Sequence, residues 1–191
     1  MVLDLDETLI HSDINNTFVN HDKIITYKVL KNDVENEIII PLILRPGVKQ
    51  FLKKVSKIYE VILFTASQKN YADNILNYLD PENKLIKHRL YRENCITLFE
   101  IEKINIKDLR ILSDRLLENI VVVDNSLYSF ANQLSNGILI TSFFNDKYDK
   151  ELDNLASYLI EFLAKAKDVR VENEKIFKFG LTVSALAEKL R

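Results

Sequence analysis

One cysteine, three glycines and three prolines are all that the 191 residues hold of the residue types that staple, hinge and stop a chain. A lone Cys95 cannot close an intrachain disulfide. The three histidines, His11, His21 and His88, show no metal-ligand spacing, so a disulfide scaffold and a zinc module are both excluded, and Cys95 reads as a buried structural thiol. So little Gly and Pro leaves no material for long flexible linkers, which excludes extended disorder. No apolar run approaches the roughly 20 residues that cross a bilayer, Ile38 to Leu44 being among the longest. The N-terminus lacks a signal-peptide pattern, and a soluble intracellular chain is expected. Lys and Arg number 26 against 28 Asp and Glu, a net charge of -2. That balance gives no electrostatic case for direct nucleic-acid or membrane binding.

What is present fits a globular domain. Apolar residues make up 47% and charged residues 28%, and the length suits one domain over 1–191 with a core of its own. Met-Val-Leu-Asp-Leu-Asp begins almost on a buried strand, which predicts further sequence upstream of Met1. Ile24 to Leu30 and Glu37 to Leu44 lean to β structure and are expected to pair antiparallel. After Pro46 and Gly47, the spacing of Val48, Phe51, Leu52, Val55 and Tyr59 predicts an amphipathic helix. The run from Val61 to Phe64 predicts a buried parallel strand, and a helix is expected over Tyr71 to Leu79. Mixed periodicity between Asp80 and Asn105 suggests short strands inserted as a side flap. Beyond it we expect a helix near Lys107 to Leu117, strands at Ile120 to Val123 and Gly137 to Ile140, and helices near Lys150 to Ala164 and Thr182 to Leu190. Strands alternating with helices imply an α/β fold: a Rossmann-like parallel sheet with helices on both faces, whose ligands bind at the carboxyl ends of the strands.

Those ends carry the chemistry-bearing residues. Leu3 gives way to Asp4-Leu5-Asp6-Glu7-Thr8, Phe64 to Thr65-Ala66-Ser67, and Val123 to Asp124-Asn125-Ser126. Taken singly, each is an ordinary turn or helix cap, the routine use of Asp, Asn, Ser and Thr. Brought together on adjacent strands, three aspartates and an asparagine would repel one another unless a cation sat among them, and hard oxygen ligands of this kind suit magnesium. Asp4 and Asp6, two residues apart where the chain leaves the sheet, can take different tasks.

The stretch Asp-Leu-Asp-Glu-Thr-Leu-Ile-His-Ser from Asp4 to Ser12 resembles the signature of the haloacid-dehalogenase superfamily, in the branch of RNA polymerase II C-terminal-domain phosphatases, the small phosphatases similar to NLI-interacting factor. The similarity continues through Leu-Arg-Pro-Gly at Leu44 to Gly47, Leu-Phe-Thr-Ala-Ser at Leu63 to Ser67, Tyr-Ala-Asp at Tyr71 to Asp73, Arg89 to Cys95, Lys107-Asp108-Leu109 and Val-Val-Asp-Asn-Ser ending at Ser126, and reaches about Val171. The resemblance implies that Asp4 attacks phosphorus and forms an aspartyl-phosphate, and that Asp6 serves as general acid and then general base. It implies magnesium held by Asp4, the Asp6 carbonyl, Asp124 and Asn125. It also implies a Thr65 hydroxyl on the phosphate, a Lys107 charge offsetting Asp4 and phosphoryl oxygens, and substrate contacts from Arg92, Ser67 and Arg45. The implied partner is a phosphoprotein such as the polymerase C-terminal repeats. The implied compartment is the nucleus, although the family also has cytoplasmic and membrane-associated members.

Three features depart from the family pattern. The stretch from Cys95 to Lys107 is longer than usual, Ser142 to Asp146 replaces a tryptophan-containing sequence, and Gln68 stands where an apolar side chain is common. Two rivals are a non-catalytic relative of the import-receptor kind, which intact Asp4, Asp6, Thr65, Lys107 and Asp124 argue against, and a metabolite phosphatase. The latter usually closes a sizeable lid over its substrate, whereas the inserted pieces here read as short strands and predict an open site. The three histidines, including His11 inside the motif, read as structural.

Overall fold

The computed structural model describes every residue except 16, 17, 19, 32, 33, 99–103 and 180–191. Its centre is a five-stranded parallel sheet, in which β1 (Val2–Leu3) lies between β5 (Ile62–Phe64) and β9 (Val122–Asp124). β6 (His88–Leu90) and β10 (Gly137–Leu139) form the two edges, giving the order β10-β9-β1-β5-β6. Short runs of Val, Ile, Leu and Phe form these strands because both faces are covered, so neither side alternates with polar residues. Leu3, Leu63, Val123 and Ile138 point into one buried cluster, and Val2, Ile62, Phe64 and Val122 into another on the opposite face.

The first face is covered by α1 (Val48–Val55), α2 (Lys69–Leu79) and α3 (Glu151–Ser157), which contribute Phe51, Leu52, Ile75, Leu76, Leu152 and Leu155. Gly47 sits at φ 77°, a left-handed conformation that lets the chain turn into α1. The other face is covered by single turns of 3-10 helix between residues 109 and 136. Here the structure corrects the helix expected near Lys107 to Leu117. Asp108 accepts from Arg110 N (3.0 Å), and Leu109 N donates to the Gln133 side chain (3.1 Å). Past this cap, Ile111 N, Leu112 N and Arg115 N donate to the carbonyls three residues back (3.3, 3.0 and 3.0 Å), so single 3-10 turns replace the α-helical ladder. Gly137 opens β10 because the Phe130 ring occupies the place of a Cβ, with the nearest ring carbon 2.0 Å from that position.

Two smaller sheets flank the sheet's carboxyl edge. β2 (Ile10–Ser12), β4 (Val34–Leu44) and β3 (Lys23–Lys31) form an antiparallel sheet in the order β2-β4-β3, which contains the expected pairing of the 24–30 and 37–44 segments. β7 (Ile96–Leu98) and β8 (Ile104–Ile106) form a hairpin. The flap expected over Asp80 to Asn105 is thus confined to this hairpin, while His88–Leu90 joins the main sheet beside β5. α4 (Val169–Phe177), begun by an Asp168 side chain that accepts from Arg170 N, was not anticipated. The helix expected over 182–190 lies outside the described residues. No helix among the described residues is long and apolar enough to cross a membrane.

Candidate active site

Three neighbouring strand ends make the site. Leu3 lies opposite Leu63 and Val123, so Asp4, Thr65 and Asp124 leave the sheet side by side, and Asp4 N still donates to Val123 O (3.0 Å). The chain then folds tightly. Leu9 N and Ile10 N both donate to Leu5 O, and Glu7 adopts φ 54°. A left-handed Glu costs roughly 1–2 kcal/mol, and it is held in place because its carbonyl accepts from Phe143 N (2.7 Å) and its N–H donates to Ile10 O (2.7 Å).

Lys107, directly after β8, reaches between the two innermost carboxylates. Its Nζ donates to Asp4 Oδ1 (2.5 Å) and Asp124 Oδ2 (2.6 Å), and all three side chains are buried. Burial alone would lower the Lys107 pKa, but the Asp4 and Asp124 carboxylates outweigh it and hold the ammonium above the ordinary lysine range. Burial, with the nearby Asp4 charge, pushes Asp124 up to about 6 against the pull of Lys107. One ammonium is thus shared by two carboxylates. Thr8 Oγ1 donates to Asp4 Oδ2 (2.9 Å) and lies 3.4 Å from Asn125 Oδ1. Asn125 Nδ2 donates to Ser142 Oγ (3.0 Å), which turns the amide oxygen toward Thr8.

Asp6 faces away from that cluster. Its Oδ2 accepts from Ser67 Oγ (2.8 Å) and its Oδ1 from the Tyr71 hydroxyl, while Thr65 Oγ1 stands 3.4 Å from Oδ2. Burial raises the Asp6 pKa. The Tyr71 and Ser67 hydrogen bonds oppose the rise, and the Asp4 charge adds to it. Asp6 therefore keeps a proton to higher pH than an exposed carboxyl group would.

These groups line a cavity of about 730 Å³, walled by Ile14 and Tyr27 on the side of the antiparallel sheet and by Asn105 of the hairpin on the other. Of the residues expected from the sequence, Asp4, Asp6, Thr65, Ser67, Arg92, Lys107, Asp124 and Asn125 all line it. Arg92 donates through Nε to Ala66 O (2.6 Å). Arg45 does not join them. It is fully buried, donates through Nε and Nη2 to Asp149 (2.9 and 2.7 Å) and through Nη1 to Thr8 O (3.0 Å), and so braces the Asp4–Thr8 turn from behind. Sequence reasoning gave no role to Tyr71, Ser12 or Ser142, since hydroxyls whose partners are distant in the chain leave no periodic or spacing signal.

Asp4, Asp6, Glu7 and Asp124 face the cavity against two cations, Arg92 and Lys107, so a dianionic phosphate would meet excess negative charge. Among the described residues no cluster of three or more His, Cys, Asp or Glu suits a metal ion. The donors available are two carboxylates, the Asn125 amide oxygen and the Asp6 carbonyl. That is an all-oxygen set of few protein ligands, which fits magnesium, an ion that usually keeps several waters. Both carboxylates spend oxygens on Lys107, Thr8 and Ser126 N, yet a carboxylate offers about four lone-pair sites, so acceptor capacity remains.

CTD small phosphatase-like protein 2 of Dictyostelium discoideum is 43% identical over 184 residues, which cover 96% of this chain and 30% of that protein. CTD small phosphatase-like protein 3 of Caenorhabditis elegans is 39% identical over 174 residues, covering 89% and 56% respectively. The chain thus spans between about a third and just over half the length of these relatives. Among solved structures, fission yeast RNA polymerase II CTD phosphatase Fcp1 bound to beryllium fluoride shares the fold, with a TM-score of 0.60 at 21% identity, over 90% of this chain and 53% of that one. The family model for NLI interacting factor-like phosphatases matches residues 1–170, and the chain belongs to that family.

Proposed function

We propose that this chain hydrolyses phosphoserine in flexible protein segments, with Asp4 as nucleophile and Asp6 as general acid and base. The observation that carries this reading is the different bonding of two carboxyl groups set two residues apart. Asp4 is ion-paired with Lys107, whereas Asp6 hangs on hydroxyls with a raised pKa. A carboxylate can attack phosphorus, and a protonated neighbour can supply the proton that a serine alkoxide needs as its bond to phosphorus breaks. The same group, now ionised, can take a proton from the water that releases Asp4. Lys107 stays charged throughout and offsets the negative charge of Asp4 and the phosphoryl oxygens, Thr65 offers a hydroxyl beside the attack path, and Arg92 stands at the cavity wall. Asp4, Asp124, Asn125 and the Asp6 carbonyl would hold magnesium, which supplies positive charge to the transferring oxygens.

A protein substrate is favoured over a metabolite because the pieces inserted beside the cavity are small β elements, with no helical lid among the described residues. Without closure, binding energy must come from residues flanking the phosphate. Polymerase C-terminal repeats are the leading candidates, given the names of the relatives, and with them a nuclear location. The test is steady-state phosphate release from matched panels of phosphoserine peptides, sugar phosphates and nucleotides, in EDTA and in magnesium. Peptides should lead by kcat/KM and only with magnesium. A metabolite that leads by an order of magnitude would instead support the small-molecule reading, and full activity after thorough chelation would remove the metal.

A further inference from the structure

We infer that Tyr71, held by Ser12 and acting together with Ser67, is a positioning residue that fixes the carboxyl group of Asp6 toward the leaving oxygen of the substrate. The inference rests on the acid role of Asp6 proposed above. Asp6 leaves β1 on a tight turn and makes no ion pair among the described residues, so it lacks the anchor that Lys107 gives Asp4. Hydroxyls from α2 and the loop before it take that place. The Tyr71 hydroxyl meets Oδ1, and Ser67 Oγ meets Oδ2 at 2.8 Å. Tyr71 has one proton to give. If it donates to Asp6 it must accept from its other partner, the hydroxyl of Ser12 at the end of β2, so the chain of donors runs from Ser12 through Tyr71 to Asp6. The two flanking oxygens are thereby pinned from two elements, and one rotation about the Asp6 side chain is left.

During transfer, the bond from phosphorus to the serine oxygen breaks as the bond to Asp4 forms, and the Asp6 proton passes to the serine oxygen. Tyr71 keeps its own proton at every stage and touches neither phosphate nor leaving group. Its removal should therefore lower kcat/KM, which reports the transfer step and not the later hydrolysis of the aspartyl-phosphate, only for substrates whose leaving group needs the proton. A serine alkoxide needs it, while a nitrophenolate departs without it.

The experiment compares wild type and Tyr71→Phe on a phosphoserine peptide and on p-nitrophenyl phosphate, both in magnesium. For Tyr71→Phe, we expect kcat/KM to fall about tenfold or more on the peptide, a fraction of the 10²–10⁴ typical of general acid catalysis. On the aryl ester it should change less than about twofold, because the ring remains packed and only the acid step is disturbed. KM for the peptide should stay close to wild type, with the loss in kcat. Equal losses on both substrates, or none on either, overturn the inference while leaving the phosphatase reading intact. A wild-type chain inactive on both substrates sinks that reading and the inference with it.

Discussion

At the scale of single residues, the site is a balance of charge around Lys107. Its ammonium is shared by Asp4 and Asp124, so removing it leaves two buried carboxylates facing each other. Lys107→Met should abolish turnover and, in EDTA, lower stability by about 3–5 kcal/mol, the usual cost of breaking a buried pair. Urea midpoints measure this, and added magnesium should recover part of the loss, because another cation then stands among the same oxygens. Asp4→Asn should behave in the opposite way. Turnover disappears, yet stability in EDTA stays within about 1 kcal/mol of wild type, because Asp124 keeps Lys107 and the repulsion between carboxylates is gone. An Asp4→Asn protein with normal turnover would rule out the nucleophile.

At the scale of elements, the turns between 109 and 136 depend on Asp108. Arg110, Asn132 and Gln133 all donate to its carboxylate, and the Arg110 side chain, with these other donors, holds the Asp108 pKa well below the usual carboxylate range. A group depressed in the folded state stabilises above its unfolded pKa, near 4, and loses that contribution as pH falls further. Asp108→Ala should therefore cost about 1–3 kcal/mol at pH 7, with little of it from the exposed Arg110 charge. The gap from wild type should narrow below about pH 4 in urea melts at pH 7, 5 and 3. This element was the least legible in the sequence, since the apolar spacing of Leu109, Leu112 and Leu117 resembles a helix and the distant Asn132 and Gln133 that hold the Asp108 cap are invisible locally. His88–Leu90 was hidden for a related reason, as three residues at a sheet edge carry too short a pattern to separate from a flap. The strand ends at Asp4, Thr65 and Asp124 were legible because each apolar run stops at a polar residue, and parallel strands bring such stops together. α4 went unread because its apolar residues do not repeat along one face.

At the scale of the whole molecule, Arg45 ties the first turn of the site to the distant segment around Asp149. The sequence suggested a substrate contact, and its burial argues for a brace. Arg45→Met should lower stability by about 3–5 kcal/mol, through an Asp149 charge and a Thr8 carbonyl left unpaired. KM of the folded protein for phosphopeptide should remain within about twofold, a split that a substrate-binding arginine would reverse.

The sheet order also has a consequence in time. β1 precedes the other four strands of this sheet along the chain and is the central one in space, and Val2 pairs with Val122 as well as with Ile62. Half of its backbone ladder must wait until β9 has left the ribosome. A nascent chain that stops short of β9 exposes an open edge on an apolar strand, the kind of surface that non-local topologies leave to aggregation or chaperones. The same arrangement means that Asp4 has no Asp124 beside it until that moment, so on the function proposed above the set of oxygens that would hold magnesium is completed only when the sheet closes.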